Sequence, residues 1–257
     1  YNLNNSLRFR SSASAHLSRT NGANGNLKTF TFSCWIKYSN LGGGDLWSSG
    51  NTGGGGDAIS FRSDNKLNFA LSGANKLTTD AVYRDPSAWY HIVLAFDTSQ
   101  ATASNRIKLY VNGEQITSFS TASYPALNTN AVYFNTTTIQ YLAEGYSLSL
   151  DCYLTEVNFV DGQALTPSDF GEYNEDTGVW QPIKYTGTYG TNGFYLKGRG
   201  TDNSGNGNNF TETNFNTTNS ALTTYDIMTD VPTLTDADTA NYATLNPNDK
   251  SGGTISN

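Results

Sequence analysis

Trp89-Tyr90-His91-Ile92-Val93-Leu94-Ala95-Phe96-Asp97, followed by Ile107-Lys108-Leu109-Tyr110-Val111-Asn112-Gly113-Glu114-Gln115-Ile116, is the stretch that decides the fold. The first run is dense in aromatic and β-branched residues and reads as a strand. A polar loop over residues 98–105 breaks it. The second run alternates Ile107, Leu109 and Val111 with Lys108 and Tyr110, the period of a strand with one buried face. Asn112-Gly113 then reverses the chain, because a type I′ turn needs φ > 0 at both central residues and this pair supplies it.

Working outward, further strands are predicted at residues 2–9, 15–19, 30–38, 58–62, 66–70, 139–142, 153–160 and 193–197. Helix is nearly absent. One short turn is expected after Thr166, where Thr caps, Pro167 takes the first helical position and Asp169 sits three residues past the cap. From residue 211 the pattern fades into polar residues with isolated Phe215, Tyr225, Ile227 and Leu234. The expected organisation is a β-sandwich over residues 1–210. An extended polar segment, 211–257, would lie over it or lead to a further domain of a longer chain.

At 257 residues the chain can bury a good core. Charged residues make up 14% and aromatics 13%, a mixture of short strands and polar turns rather than a disordered composition. A net charge of −7 without a basic cluster argues against nucleic-acid binding. No apolar run approaches the ~20 residues of a membrane span. Cys34 and Cys152 fall on strands that could be neighbours. Alternation, however, puts Cys34 with Phe30, Phe32 and Ile36, and Cys152 with Leu154 and Glu156. If Trp35 and Glu156 share a face, the sulfurs point to opposite sides, and two buried free thiols are expected rather than a disulfide.

Several segments together resemble a known family. Trp89 to Val93 with Arg106-Ile107-Lys108-Leu109-Tyr110-Val111-Asn112-Gly113-Glu114, Phe30-Thr31-Phe32-Ser33-Cys34-Trp35-Ile36-Lys37, Leu150-Asp151-Cys152-Tyr153-Leu154-Thr155-Glu156-Val157 and Asp161-Gly162-Gln163-Ala164-Leu165-Thr166-Pro167 occur in the order found in the laminin-G-like branch of the concanavalin A-like lectin/glucanase superfamily. Cys152 stands where that family commonly has Gly. The resemblance implies an all-β jelly-roll sandwich of two antiparallel sheets that binds glycans or other ligands rather than cleaving them. Gly193-Phe194-Tyr195-Leu196-Lys197 and the loop Asp202-Asn203-Ser204-Gly205-Asn206-Gly207-Asn208 resemble the segment that usually opens such domains, here displaced to the C-terminal side as in a circular permutation. With the run from Asp161 to Gly171, this arrangement looks most like large virion proteins of tailed phages infecting aquatic bacteria. The resemblance thus implies a virion surface protein, as capsid decoration, fibre or tail adhesin. Other virion subunits and host glycans are the implied partners, and a homo-oligomer, a trimer, the implied assembly. A secreted bacterial lectin-like adhesin is the rival reading, and a polysaccharide-degrading enzyme a third.

The candidate site residues follow. Glycines at 42–44 and 53–56 flank Trp47 but lack the Gly-Lys-Ser/Thr ending of a phosphate loop. Trp47 is the first candidate for stacking on a sugar, and the Trp35 face the second. Asp45 and Asp57, which border those glycines, complete the ligand-binding set. No strand has the closely spaced carboxylates of a glycosidase. Glu156 stands alone, and His16 and His91 are isolated, so no catalytic residue is assigned. Asp202, Asn206 and Asn208 crowd one glycine-containing loop that suits calcium, which takes oxygen ligands, and the relatives sometimes bind calcium near such a loop. The same residues are also ordinary turn formers.

Overall fold

In the computed structural model, residues 1, 3–50, 55–145, 149–218 and 225–233 are described. Asn2, Gly53, Gly54 and everything from Leu234 onward, each part of an expectation above, lie outside them. In chain order the strands are β1 Ser6–Phe9, β2 His16–Thr20, β3 Thr29–Tyr38, β4 Gly44–Ser49, β5 Asp57–Phe61 and β6 Lys66–Leu71. Then come β7 Ala74–Val82, β8 Trp89–Asp97, β9 Ile107–Val111, β10 Glu114–Gln115, β11 Phe119–Ala122 and β12 Ile139–Leu142. The last are β13 Cys152–Asp161, β14 Gly171–Tyr173, β15 Trp180–Pro182, β16 Phe194–Leu196, β17 Thr211–Thr213 and β18 Ile227–Met228. No helix among the described residues is long and apolar enough to cross a membrane.

Two eight-stranded antiparallel sheets pack face to face. The first has the order β10-β9-β8-β3-β13-β1-β18, with β16 also on β13. The second has the order β11-β7-β6-β5-β4-β12-β2-β17. The all-β jelly-roll expectation is met. At the hairpin that opened the analysis, Asn112 and Gly113 have φ of 51° and 85°, as a type I′ turn requires. The turn after Thr166 forms over Pro167–Asp169, closed by a reciprocal capping box between Thr166 and Asp169.

Alternation builds the core from rows of cross-strand partners. In the first sheet Phe194, Phe159, Phe32, Leu94 and Leu109 form one such row, all buried. In the second, Leu17, Leu142, Trp47, Ile59, Phe69 and Leu77 form another. Directly paired side chains lie on one face of a sheet, so these two rows meet across the sandwich.

β13 is the hinge of the architecture. Against β3 its register slips between Thr155 and Asn158. The extra residue of this β-bulge includes Glu156, whose φ of 52° lies in the left-handed region. The bulge shifts the side-chain phase: Cys152 and Leu154 face the core before it, and Val157 and Phe159 after it. This corrects the expectation for the cysteines. Cys34 and Cys152 both line the same core, as free buried thiols, and burial pushes both thiols well above their ordinary pKa.

The far edge of β13 is shared. Leu7 pairs with Leu154 and Leu196 with Val157, both antiparallel. β16 and β1 therefore lie end to end as one split strand, with Gly198 packed against Asn5 and Ser6. A strand from the C-terminal side does complete the sheet, in line with the displaced segment in the sequence. The boundary expected at residue 210 is not a structural edge. β17 extends the second sheet beside β2, and β18 extends the first beside β1. Asp226, fully buried, accepts from the guanidinium groups of Arg8 and Arg10 at 3.1 and 2.8 Å. The sandwich continues at least to Thr233.

Candidate functional site

The outward-facing residues of β3, β8, β9 and β13 are not exposed. Residues 163–192 fold across them, and Leu165, Phe170, Tyr185 and Tyr189 build a second core with Val93, Ala95, Tyr110, Val160 and Tyr195. Trp35 belongs to this covered face. It is 3% exposed and stacks on His91 at 5.0 Å. His91 in turn accepts Trp180 Nε1–H on Nδ1 at 3.0 Å, which leaves its proton on Nε2, donated to Ser33 Oγ at 2.9 Å. Burial lowers the His91 pKa to about 3, so the ring stays neutral as a packing element. Trp35 is thus removed from the ligand candidates: it is buried and its ring is stacked on His91.

Trp47 is also corrected. It lies in the core row of the second sheet with no exposed surface, stacked between Phe134 at 3.7 Å and Phe32 at 4.6 Å. Its indole Nε1–H donates to Gln140 Oε1 at 3.0 Å. The glycines that made it look like a loop residue stop short of it. A register slip between Asp45 and Trp47 lets Leu46 and Trp47 both turn inward. Asp57 is buried too. Its Oδ1 accepts from Ser72 N, and its Oδ2 from Tyr133 N and Phe134 N, at 2.8 to 2.9 Å. Burial pushes its carboxyl above the usual range against these bonds. Asp57 pins a loop rather than facing a ligand.

Asp45 alone of that set lines an open concavity. A groove of about 310 Å3 lies on the outer face of the second sheet. Its floor is two cross-strand rows, Asp45–Ser60–Asn68 and Ala58–Ala70–Asn75, carried by β4 to β7. One end is closed by residues 42–44 and by Arg62 and Ser63. The floor is deep because its side chains are short. Asn68 is held in place by Thr78 Oγ1–H, donated to its Oδ1 at 2.7 Å. Gly145 presses its backbone against Asp45, and a Cβ there would collide with the carboxylate. Arg62 Nε lies 3.8 Å from Asp64 Oδ1, with nearly half its side chain exposed, so the guanidinium is available at the rim. The sequence signal for this site was present in the strand pattern. Ala58, Ser60, Asn68 and Ala70 alternate with Ile59, Phe61, Leu67 and Phe69, a small-polar face opposite a bulky one.

The loop proposed for calcium is a braced turn. Asp202 Oδ1 accepts from Tyr195 N and Ser204 N, and its Oδ2 from Asn208 N and Ser204 Oγ, at 2.7 to 2.9 Å. Asn206 and Asn208 point their amide N–H groups at the carbonyls of Gly190, Thr191 and Gly193. Two of the three candidate ligands thus offer donors, not oxygens, to their surroundings, and the donor set does not fit a cation. Among the described residues no group of three or more His, Cys, Asp or Glu could hold a metal.

Comparison with solved structures returned matches at low identity. A Bacteroides ovatus protein provisionally assigned to carbohydrate binding superposes with a TM-score of 0.54 at 14% identity, over 83% of this chain and 58% of its own. A heptameric SAP-like pentraxin from Limulus polyphemus gives 0.45 at 14% identity, over 65% of this chain and 80% of its own. The Trypanosoma rangeli sialidase gives 0.41 at 14%, over 64% of this chain and only 31% of the sialidase. A search of curated proteins returned no match. The family model for the concanavalin A-like lectin/glucanases superfamily matches residues 11–170, more than half of the chain. With two large antiparallel sheets consistent with that sandwich, the chain belongs to the superfamily.

Proposed function

We propose that this chain is a non-enzymatic glycan-binding domain whose site is the groove over β4 to β7. The observation that carries the reading is the floor itself. Short side chains at Ala58, Ser60 and Ala70 let a flat ligand approach the sheet, within reach of the Ser60 hydroxyl, the Asn68 and Asn75 amides and Arg62 as donor, with Asp45 in the lining. A concave surface with a few convergent polar groups is the usual form of a small-ligand site. Sugar hydroxyls both donate and accept, as this mixture requires. The carbohydrate-binding assignment of the Bacteroides ovatus protein is carried to this chain as part of the proposal. Binding without turnover is favoured because retaining hydrolysis needs two carboxyl groups about 5 Å apart, and Asp45 is the one carboxylate among the residues lining the groove.

In the finer reading, the domain sits on a virion surface as capsid decoration, fibre or tail adhesin. It would contact other virion subunits and copies of itself, a trimer being the expected number. This rests on the resemblance of the run from Asp161 to Gly171 and on the displaced segment 193–208. A glycan array probed with the wild-type protein and with Asn68→Ala tests the site. Binding that falls at least about tenfold in the variant supports it, and an unbound array overturns it. Mass spectrometry of purified phage particles tests the finer reading, and absence from the particle turns it toward a secreted adhesin.

A further inference from the structure

The groove has two walls, and they meet in a corner. The first runs along β4. Ala143 N donates to Leu46 O at 2.9 Å and Ser48 Oγ to Glu144 O at 2.7 Å, so residues 143–145 lie on the outer side of this strand. Asp45 and Ser48, which point outward, are 2% and 3% exposed beneath them. Leu150 N donates back to Ala143 O at 2.9 Å, and Ser149 Oγ to Glu144 Oε2 at 3.0 Å, which braces this wall from behind. The second wall closes the strand ends. Residues 42–44 pack against the turn that follows β5, so tightly that a Cβ on Gly43 would lie 2.9 Å from the Arg62 backbone. A Cβ on Gly44 would lie 3.0 Å from the backbone of Leu150, and there the two walls join.

The floor left between them is short. From β5 to β7 two inter-strand steps of ~4.8 Å span about 10 Å, and a volume of about 310 Å3 is at the low end for a small-ligand site. A linear polymer laid across the strands runs into residues 143–145. Laid along the strands, it runs into residues 42–44. Asn75, exposed on β7, lies on the side away from both walls. We propose that the groove recognises the end of a glycan, not an internal stretch. The terminal sugar would sit in the corner over Ser60 and Asn68, and the next would leave past Asn75. This deepens the glycan reading of the groove and rests on it. Surface glycans are attached through their reducing end, so the end on offer is the non-reducing one. Selectivity then comes from a clash: one more sugar on the terminal unit would overlap walls built from backbone, which cannot swing aside as a long side chain can.

A glycan array in which each oligosaccharide appears both bare and capped by one further sugar at its non-reducing end tests the proposal. The bound glycans should share a terminal sugar, and capping should lower binding by at least about tenfold. Titration of a bound glycan should show affinity changing by less than about twofold from its disaccharide to its longer forms. Asn68→Ala, in the corner, should cost at least about tenfold, and Asn75→Ala, at the open side, no more than about threefold. Thermal melts check both variants, and Ser60→Ala, with a severalfold loss, stands in for Asn68→Ala if that melt falls. Glycans that share only an internal segment, survive capping and still depend on the corner residues overturn end recognition while the groove reading stands. An array without binding, or binding indifferent to the corner variants, overturns both.

Discussion

On β3 and β8 the residues that point away from the main core include Ser33, Trp35, Val93 and His91; on β5 and β6 they include Ala58, Ser60, Asn68 and Ala70. Both sets arise from the same alternation, and both sets are nearly all buried. They are buried by different means. The first face is covered by residues 163–192, whose rings pack on it and form a second core. Among the described residues the second face has no such cover, and its short side chains lie at the bottom of a groove. Large outward residues thus mark the side of the sandwich that binds the protein's own chain. Small polar outward residues mark the side left free for something else. Gly113 joins the two themes: it completes the Asn-Gly turn, and its missing Cβ makes room for the ring of Trp180.

If the covered face is a true core, truncating it should cost as much as truncating the inner one. Phe170→Ala and Trp47→Ala should each lower stability by about 3–5 kcal/mol in urea unfolding. A loss under about 1 kcal/mol for Phe170→Ala would reduce the covering segment to a loosely held loop. The next largest effect belongs to the strap that ends the first sheet. Asp226→Ala removes a buried carboxylate from between Arg8 and Arg10 and should cost about 3 kcal/mol by the same measurement.

Glu156 sharpens the comparison through pH. Its carboxylate accepts hydrogen bonds from Tyr1 and Tyr195 on the first sheet, yet burial outweighs them and raises its pKa. A carboxyl whose folded pKa exceeds its unfolded value binds more protons when folded, so it favours the native state most at low pH. That contribution should decline as pH rises from the ordinary value of 4.5 to the raised one. The stability difference between wild type and Glu156→Gln, followed by denaturant midpoints across this window, should fall with rising pH. A difference that rises would show the hydrogen bonds to dominate. On the open face the effects on stability are smallest. Ser60→Ala should change stability by less than about 0.5 kcal/mol. The same change should weaken glycan binding severalfold by removing one hydrogen bond of about 1 kcal/mol.

The hairpin, the strand carrying Glu156 and the capped turn at Thr166 were legible because each depends on local chemistry: alternation, an Asn-Gly turn, a capping box. β4 was not, because glycines on both sides of Trp47 imitate a loop. What makes Trp47 a core residue is its pairing with Leu142 and Ile59, which no local pattern reveals. The phase of β13 was misjudged for a similar reason. A bulge adds one residue without a sequence mark, and it moved Cys152 onto the face of Cys34. The stacking of Trp35 and Trp180 on His91 joins segments far apart in the chain. Asp45 lines the groove, while Ala58, Ser60, Asn68 and Ala70 sat unnoticed as the small halves of strands already found.

The split strand on β13 also sets an order of events in time. Thr155 donates across that seam to the carbonyl of Asn5, a residue 150 positions earlier, and β18 must arrive later still to close β1. As the chain emerges during synthesis, β1 is made first and waits longest for its partners. Local hairpins such as β8–β9 can form at once, while the seam must pay the entropy of closing a long loop before any of its contacts form. Of the two sheets the first is therefore finished later, and its waiting strand is the one most in need of protection from wrong partners in the meantime.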